Sequence, residues 1–176
     1  MVELQWYALR VFHNKTSQVW ALAEKDGVEC YTPIREIEEV HDGVLHIREK
    51  RIMPSLVFVR TTPEYIARLR QLTEDCIYPY CEPRTSKPQP IPDAEMELFR
   101  YIARTAAREI EFVEYEPNKG DKVRITGGVF AGATGYIRRV HGTKRFVVCI
   151  EGIAAIATTY IPRQYIEKIE QETKTV

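Results

Sequence analysis

The pattern of apolar residues changes near residue 110, and this change most limits the fold that the chain can adopt. Before it, apolar residues alternate or recur at helical spacing, whereas after it short apolar runs are separated by glycines. Residues 111–119 between the two parts are acidic and contain Pro117. A chain of 176 residues has room for two small domains. We therefore predict a first domain over 1–110, a linker over 111–119 and a second domain over 120–176.

The first part is predicted to be an α/β layer, a small sheet with helices packed on it. Residues 6–12 carry apolar side chains on both faces, which is typical of a central strand. Thr16 or Ser17 is predicted to cap the helix that follows, and Gly27 to end it. Thr62 stands before a proline and an acid, which is the pattern of another helix start.

A hairpin is predicted around Asp42-Gly43, with arms at 34–41 and 44–50. A two-residue type I′ turn needs positive φ at both central positions, and Asp-Gly supplies it. The second part of the chain reads as short strands joined by turns, typical of a small β-barrel. The fold class is therefore α+β, and the barrel strands are predicted at residues 123–126, 135–140, 146–151 and 160–162.

Composition narrows the functional classes. The net charge is zero, whereas a protein that grips nucleic acid unaided usually has a basic excess. No apolar run approaches the ~18 residues of a membrane span, and the N-terminus lacks a signal peptide's pattern, so we expect a cytoplasmic protein without membrane contact. The four cysteines form no C-x-x-C pair, so we expect reduced thiols, no metal and no cofactor.

The pattern of residues does not indicate catalytic activity. The sequence lacks a phosphate-binding glycine loop before a helix, a nucleophile elbow and an H-E-x-x-H motif. We therefore expect a binding protein and not an enzyme. A thiol-based redox enzyme is the distant alternative, which cysteine alkylation with a functional assay would test.

Two sets of residues carry a family resemblance. The first set resembles a KOW motif and consists of Gly120, Val123, Gly128, Phe130, Gly132 and Gly135. The second resembles the NusG N-terminal domain and consists of Trp6-Tyr7-Ala8-Leu9, the charged hairpin, and Arg51-Ile52-Met53-Pro54-Ser55-Leu56. In order and extent the whole chain resembles a NusG-type factor, in character closest to specialised paralogs such as RfaH and the UpxY-type capsule-operon antiterminators.

The resemblance implies an N-terminal NusG-type α/β sandwich domain, a KOW barrel and RNA polymerase as the main partner. Ile52, Met53, Pro54 and Leu56 stand where the family docks onto the clamp helices of the largest polymerase subunit. An exposed apolar patch suits a partner helix. The alternative is that these residues only begin a buried strand; we expect Met53 and Pro54, which precede the strand, to form the interface.

The resemblance also implies contact with nucleic acid. The face that meets the non-template DNA strand in RfaH-like proteins is matched here by His13, Asn14, Lys15, Arg48, Lys50 and Arg51. A solvated charged surface is an equal alternative for these residues. A basic stretch in the second part offers a place for nascent RNA or an acidic partner.

Two aromatic anchors of housekeeping NusG are missing. In the family, exposed phenylalanines of the KOW domain hold a ribosomal protein or the termination factor Rho, and the matching positions are Ala133 and Glu151. Because aromatic anchors carry much of an interface's energy, we expect neither partner to bind. The resemblance thus implies a specialised antitermination and processivity factor; the alternatives are a housekeeping NusG elongation factor and, in another class, a KOW-type ribosome-associated RNA-binding protein.

Overall fold

The structure is a computed structural model that describes residues 3–116, 120–158 and 160–169. The strands in the first half are β1 Gln5–Val11, β2 Glu29–Tyr31, β3 Ile34–His41, β4 Val44–Arg51, β5 Leu56–Thr61 and β6 Ile77–Pro79. Those in the second half are β7 Glu111–Val113, β8 Asp121–Ile125, β9 Thr134–Val140, β10 Thr143–Ile150, β11 Ala154–Ala157 and β12 Ile166–Lys168. The helices are α1 Thr16–Lys25, α2 Pro63–Leu72 and α3 Asp93–Thr105.

The chain divides into two compact units. The first contains Met1–Pro33 and Arg51–Glu97, and the second contains Ile34–Lys50 and Leu98–Val176. The hairpin of β3 and β4 and most of α3 therefore belong to the second unit. The predicted boundaries at 110 and 120 stay a prediction. None of the helices in the described ranges is long and apolar enough to cross a membrane.

A four-stranded antiparallel sheet forms the centre of the first unit, in the order β2-β5-β1-β6. Its middle strands are buried on both faces, because Trp6 and Ala8 on one side of β1 are as inaccessible as Tyr7 and Leu9 on the other. Side chains of α1 and α2 pack into the cluster around Leu9. Each such buried side chain contributes about 1.5–3 kcal/mol to the free energy of unfolding. The predicted central strand is confirmed.

The two helix starts differ in their capping. The Thr62 hydroxyl accepts a hydrogen bond of 3.3 Å from the Tyr65 amide, which confirms the predicted cap of α2. The predicted cap of α1 is wrong, because its N-cap is Lys15 and no side chain caps it. The Thr16 hydroxyl instead donates to the Pro54 carbonyl over 2.7 Å, and this bond ties the helix to the loop before β5.

The predicted hairpin is confirmed. Asp42 and Gly43 have φ angles of 52° and 76°, and the flanking strands pair with each other. Every residue of β4 is exposed, including Leu45 and Ile47. This hairpin is anchored at its base, where the Glu36 amide donates to the Ala107 carbonyl over 3.0 Å.

A six-stranded antiparallel sheet forms the centre of the second unit, in the order β12-β8-β9-β10-β11-β7. Strand β7 lies inside the predicted linker and pairs with β11, with Phe112 opposite Ile156. Strand β11 was not predicted, since alanine has a low strand propensity, yet all four of its residues are buried. Strands β7 and β12 are the edges of this sheet within the described ranges, and closure into a barrel stays a prediction.

The strand predicted at residues 160–162 is wrong. These residues are not part of a strand. A single 3-10 turn spans Arg163–Tyr165, and the last strand begins at Ile166. Pro162 lacks the amide hydrogen that a strand ladder needs.

Candidate functional site

The candidate site lies at the end of β1, where the chain is bonded on both sides. On one side the Val11 amide donates to the Ser55 carbonyl over 2.8 Å. This bond joins residues 51–56, the segment that leads into β5, to the end of β1. On the other side the Phe12 amide donates to the Cys76 carbonyl over 2.9 Å, just before β6. The sheet thus brings residues 51–56, residues 12–15 and the start of β6 to one end of the first unit.

Residues 51–56 are held in place by their backbone. The Ile52 amide donates to the Pro33 carbonyl over 3.2 Å, and the Leu56 amide donates to the Met53 carbonyl over 3.1 Å. The Leu56 carbonyl in turn accepts a hydrogen bond of 3.1 Å from the Thr32 hydroxyl. With the bond from Thr16 to Pro54, the segment is fixed from both ends and from its middle.

Burial divides the four predicted polymerase-binding residues. The expectation that Met53 is an exposed interface residue is wrong, because its side chain is only 5% exposed, and Leu56 is 6% exposed. Pro54 is exposed and Ile52 is half-buried. The Met53 carbonyl also closes the turn that leads into β5. Of these four residues, Ile52 and Pro54 are therefore the ones that offer apolar surface to a partner.

The predicted DNA-binding residues are exposed, except for the half-buried Lys15. His13 and Asn14 take φ angles of 54° and 56°, the left-handed turn that reverses the chain after β1. The guanidinium of Arg51 lies 5.9 Å from the centre of the Trp20 ring, which is a cation–π contact. His13, Asn14, Lys15 and Arg51 belong to the first unit.

The other two predicted DNA-binding residues, Arg48 and Lys50, belong to the second unit. Arg48 pairs with Glu39 across the hairpin at 3.0 Å. Because both side chains are partly solvated, this ion pair adds little stability and leaves Arg48 able to exchange partners. The side chain of Lys50 makes no ion pair or hydrogen bond with the described part of the chain.

The sequence prediction missed an aromatic–arginine cluster, which consists of Arg10, Phe12, Arg70 and Tyr78. The rings of Phe12 and Tyr78 are 40% and 47% exposed and meet edge to face at 5.6 Å. Arg70 lies 4.8 Å from the Tyr78 ring centre, and Arg10 lies 5.7 Å from that of Phe12. Exposed aromatic rings with arginines beside them are the groups that stack on unpaired bases.

This cluster is built by strand pairing. Arg10 is opposite Tyr78 in the ladder between β1 and β6, and it is opposite Leu56 in the ladder between β1 and β5. Arg70 also forms an ion pair with Asp75, with 2.8 Å between the Arg70 Nε and a carboxylate oxygen. A sign in the sequence was that Arg10 and Phe12 stand two residues apart in a strand and so share one face.

The residues that resemble a KOW motif lie together in the second unit. Val123 is fully buried, and the ring of Phe130, 3% exposed, lies 6.4 Å from that of Phe146. A Cβ on Gly135 would lie 2.5 Å from the Val147 carbonyl oxygen, so only glycine lets β9 and β10 approach this closely. Gly120 precedes β8, and Gly128 and Gly132 bound the loop between β8 and β9.

The apolar residue that is exposed on the loop between β8 and β9 is not the residue matched to an aromatic anchor. Ala133 is 5% exposed, whereas Val129 is 65% exposed at the tip. The hydroxyl of Tyr101 donates to the Val129 carbonyl and holds the tip against α3. Glu151 is exposed in the turn after β10. The two positions matched to aromatic anchors therefore carry a buried methyl group and an exposed carboxylate.

The basic stretch of the second unit does not form one face. Arg138 is buried, donates to the Glu114 carbonyl over 3.1 Å and pairs with the Glu116 carboxylate. Arg145 pairs with Glu111 at 2.9 Å. The described ranges contain no group of three or more His, Cys, Asp or Glu side chains placed to hold a metal. All four cysteines are free thiols.

The fold is that of a mixed α/β protein. The exposed end of the sheet in its first unit gives it a surface that is accessible to partners. The family described as "Transcription termination factor nusG" matches residues 4–100. The chain therefore belongs to the NusG family of transcription factors, and the resemblance seen in its sequence is confirmed at that level.

Two relatives extend the likeness beyond the matched region. The "Transcription termination/antitermination protein NusG" of Borreliella burgdorferi is 26% identical, over 93% of this chain and 98% of that protein. The structure titled "Domain interaction in Thermotoga maritima NusG" is similar with a TM-score of 0.50 and 20% identity, over 96% of this chain and 98% of the other. The second likeness concerns the fold.

Proposed function

We propose that this protein is a specialised transcription antitermination and processivity factor. It binds the clamp helices of the largest RNA polymerase subunit and promotes elongation through particular operons. It acts by stabilising one state of the polymerase and carries out no bond chemistry. Its first domain covers 1–110, its linker covers 111–119, and its second domain, 120–176, closes into a KOW barrel.

The observation that carries this proposal is the exposed end of β1. It combines a rigid apolar edge, made by Ile52 and Pro54, with the aromatic–arginine cluster on the other side of the same strand. An apolar edge suits a partner helix, and the cluster suits unpaired bases. A factor on a transcribing polymerase meets both kinds of partner at once.

In this arrangement Met53 and Leu56 support the docking surface from beneath, while Ile52 and Pro54 touch the clamp helices. The non-template strand meets His13, Asn14 and Lys15 together with the aromatic–arginine cluster. Arg48, Lys50 and Arg51 add phosphate contacts, which are local and so are compatible with a net charge of zero.

The specialised role draws support from the second unit. A buried Ala133 and an exposed Glu151 stand where the resemblance places aromatic anchors for Rho and a ribosomal protein. A methyl group that is already buried cannot enter a partner's pocket, and a carboxylate is costly to bury unpaired. We therefore expect the protein to keep the polymerase contact and to lack the Rho contact.

A housekeeping elongation factor is the second candidate, since the Borreliella burgdorferi relative is matched over almost its full length. Mapping the protein along transcribed genes separates the two: enrichment on a few long operons supports the specialist, and presence on nearly all genes supports the housekeeping role. A ribosome-associated KOW protein would not explain a family match over residues 4–100.

Polymerase docking is tested by pull-down with purified polymerase. Pro54→Asp places a charge on the exposed apolar edge, and we expect binding to fall by about tenfold or more, because that charge would be desolvated without a partner. Ser86→Asp is the matched control, since Ser86 is exposed in a loop outside the candidate site. Equal binding by the two variants would contradict the docking surface.

A further inference from the structure

A polar cleft lies in the second unit, and it shares no residue with the proposed docking surface or with the aromatic–arginine cluster. Its volume is about 300 Å³, and three arginines from three different elements line it, namely Arg35, Arg108 and Arg145. Arg35 comes from β3, Arg108 follows α3, and Arg145 comes from β10. Three arginines that line one cleft make it a candidate site for an anion, because a guanidinium matches the geometry of phosphate and carboxylate groups.

Two of these arginines are oriented by carboxylates. Arg108 lies 3.4 Å from Glu36 and 3.5 Å from Glu38, and Arg145 lies 2.9 Å from Glu111. A guanidinium has five N–H donors, so each of these pairs leaves donors free to face the cleft. The ion pairs of Arg108 are solvated, with 63% of its side chain exposed, and they exchange readily for a stronger ligand.

The third arginine has no partner for its side chain among the described residues. The side chain of Arg35 is exposed and makes no hydrogen bond or ion pair with the residues that the structure describes. The residues that line the cleft carry three positive charges and two negative ones, those of Glu109 and Glu111. Glu36 and Glu38 lie beside Arg108 outside this lining, so Arg35 is the cation that an entering anion would meet. An anion that enters would gain a contact with Arg35 without breaking an existing one.

The remaining lining residues favour a nucleotide over a simple anion. Tyr160, 59% exposed, presents an aromatic ring at the cleft, and Thr143 presents a hydroxyl. Exposed rings stack on bases that are not held in a duplex, and arginines bind phosphate oxygens bidentately. We propose that this cleft binds the phosphate group of a nucleotide, with the base stacked on Tyr160.

Such a phosphate has two sources, a free nucleotide or a single-stranded nucleic acid. The test uses the full chain with a fluorescently labelled oligouridine, whose affinity is measured by anisotropy across a range of salt concentrations. Unlabelled uridine monophosphate and inorganic phosphate serve as competitors. Effective competition by either small molecule identifies a free phosphate ligand, whereas binding of the oligouridine without such competition identifies the polymer; both results support the site.

Arg35→Gln is the principal variant, because this side chain has no partner in the described structure and its loss should not affect folding. We expect affinity for the oligouridine to fall about tenfold. The slope of log affinity against log salt should shrink by about 0.7, the value for one lost single-strand phosphate contact. Thermal unfolding of the variant confirms that it is folded.

Lys144→Gln is the matched control. It removes the same charge from the residue between Thr143 and Arg145 in β10, but Lys144 does not line the cleft. The proposal is overturned if Arg35→Gln and Arg108→Gln both match this control in affinity and salt slope. It is also overturned if a polyglutamate peptide binds and the oligouridine does not. Because the cleft shares no residue with the proposed docking surface, Arg35→Gln should leave polymerase pull-down unchanged.

Discussion

Strand β1 has two flanks at its end, and they differ in how they hold their apolar side chains. On the β5 flank, residues 51–56 are fixed by backbone hydrogen bonds and turn Met53 and Leu56 inward. On the β6 flank, Phe12 and Tyr78 are left partly in solvent with arginines beside them. Met53 and Leu56 on the first flank thus stabilise the fold, whereas Phe12 and Tyr78 on the second are available to a ligand.

The largest effect expected from this difference is on folding. Met53→Asp should lower the free energy of unfolding by about 4 kcal/mol, since an unpaired carboxylate would be buried in the unit. Ser55→Asp, two residues on and exposed, should change it by less than about 0.5 kcal/mol. Urea unfolding followed by circular dichroism measures both. Similar midpoints for the two variants would remove the contrast between buried and exposed positions.

The cysteine thiols at the two edges of the four-stranded sheet, Cys30 and Cys81, test the same contrast between a buried and an exposed flank. Burial, with Glu29 adding to it, raises the pKa of the Cys30 thiol in β2 to about 11. The folded-state pKa therefore exceeds the ordinary value of about 8.5. Stability from the neutral thiol is fully present below pH ~8.5 and is lost as the pH rises toward the folded-state value.

At pH 8 we expect Cys30 to be alkylated about a hundredfold more slowly than an ordinary exposed thiol, because so little of it is thiolate. Cys81, which follows β6 and is exposed, serves as the internal reference. Peptide mass spectrometry after timed alkylation gives the two rates. Reaction of Cys30 as fast as Cys81 would mean that the β5 side of the sheet is open to solvent.

A smaller effect is expected on the exposed flank. Phe12→Ala should weaken binding of single-stranded DNA about tenfold, since stacking on one base contributes about 1–3 kcal/mol, and should leave the unfolding midpoint nearly unchanged. Leu4→Ala is the control, because Leu4 is also exposed, at 54%, but lies outside the cluster. Anisotropy titration at fixed salt compares them. Equal affinities would show that the cluster does not take part in binding.

Local sequence chemistry predicted much of the fold. Asp42-Gly43 determined the hairpin, Thr62 the cap of α2, and residues 6–12 the central strand, since each of these depends on neighbours in the chain. Strand β11 escaped prediction because its alanines give no periodic pattern, and its burial comes from pairing with β10 on one side and β7 on the other.

The site was less predictable than the fold. The apolar run before β5 was visible in the sequence, but the burial of Met53 was not, and the segment around it is held by hydrogen bonds from distant residues, among them the Val11 amide. The aromatic–arginine cluster joins Phe12 to Tyr78, which are far apart in the chain, and only the pairing of β1 with β6 places them side by side. A single sequence holds no sign of that pairing.

Transcription in a purified system tests the central claim most directly. Polymerase is allowed to elongate through a pause-rich template and a Rho-dependent terminator, with and without the protein and with and without Rho. We predict faster passage through pauses and more read-through, with no stimulation of Rho termination. Clear stimulation of termination by Rho would contradict the specialised antitermination role and would identify the protein as a housekeeping NusG factor.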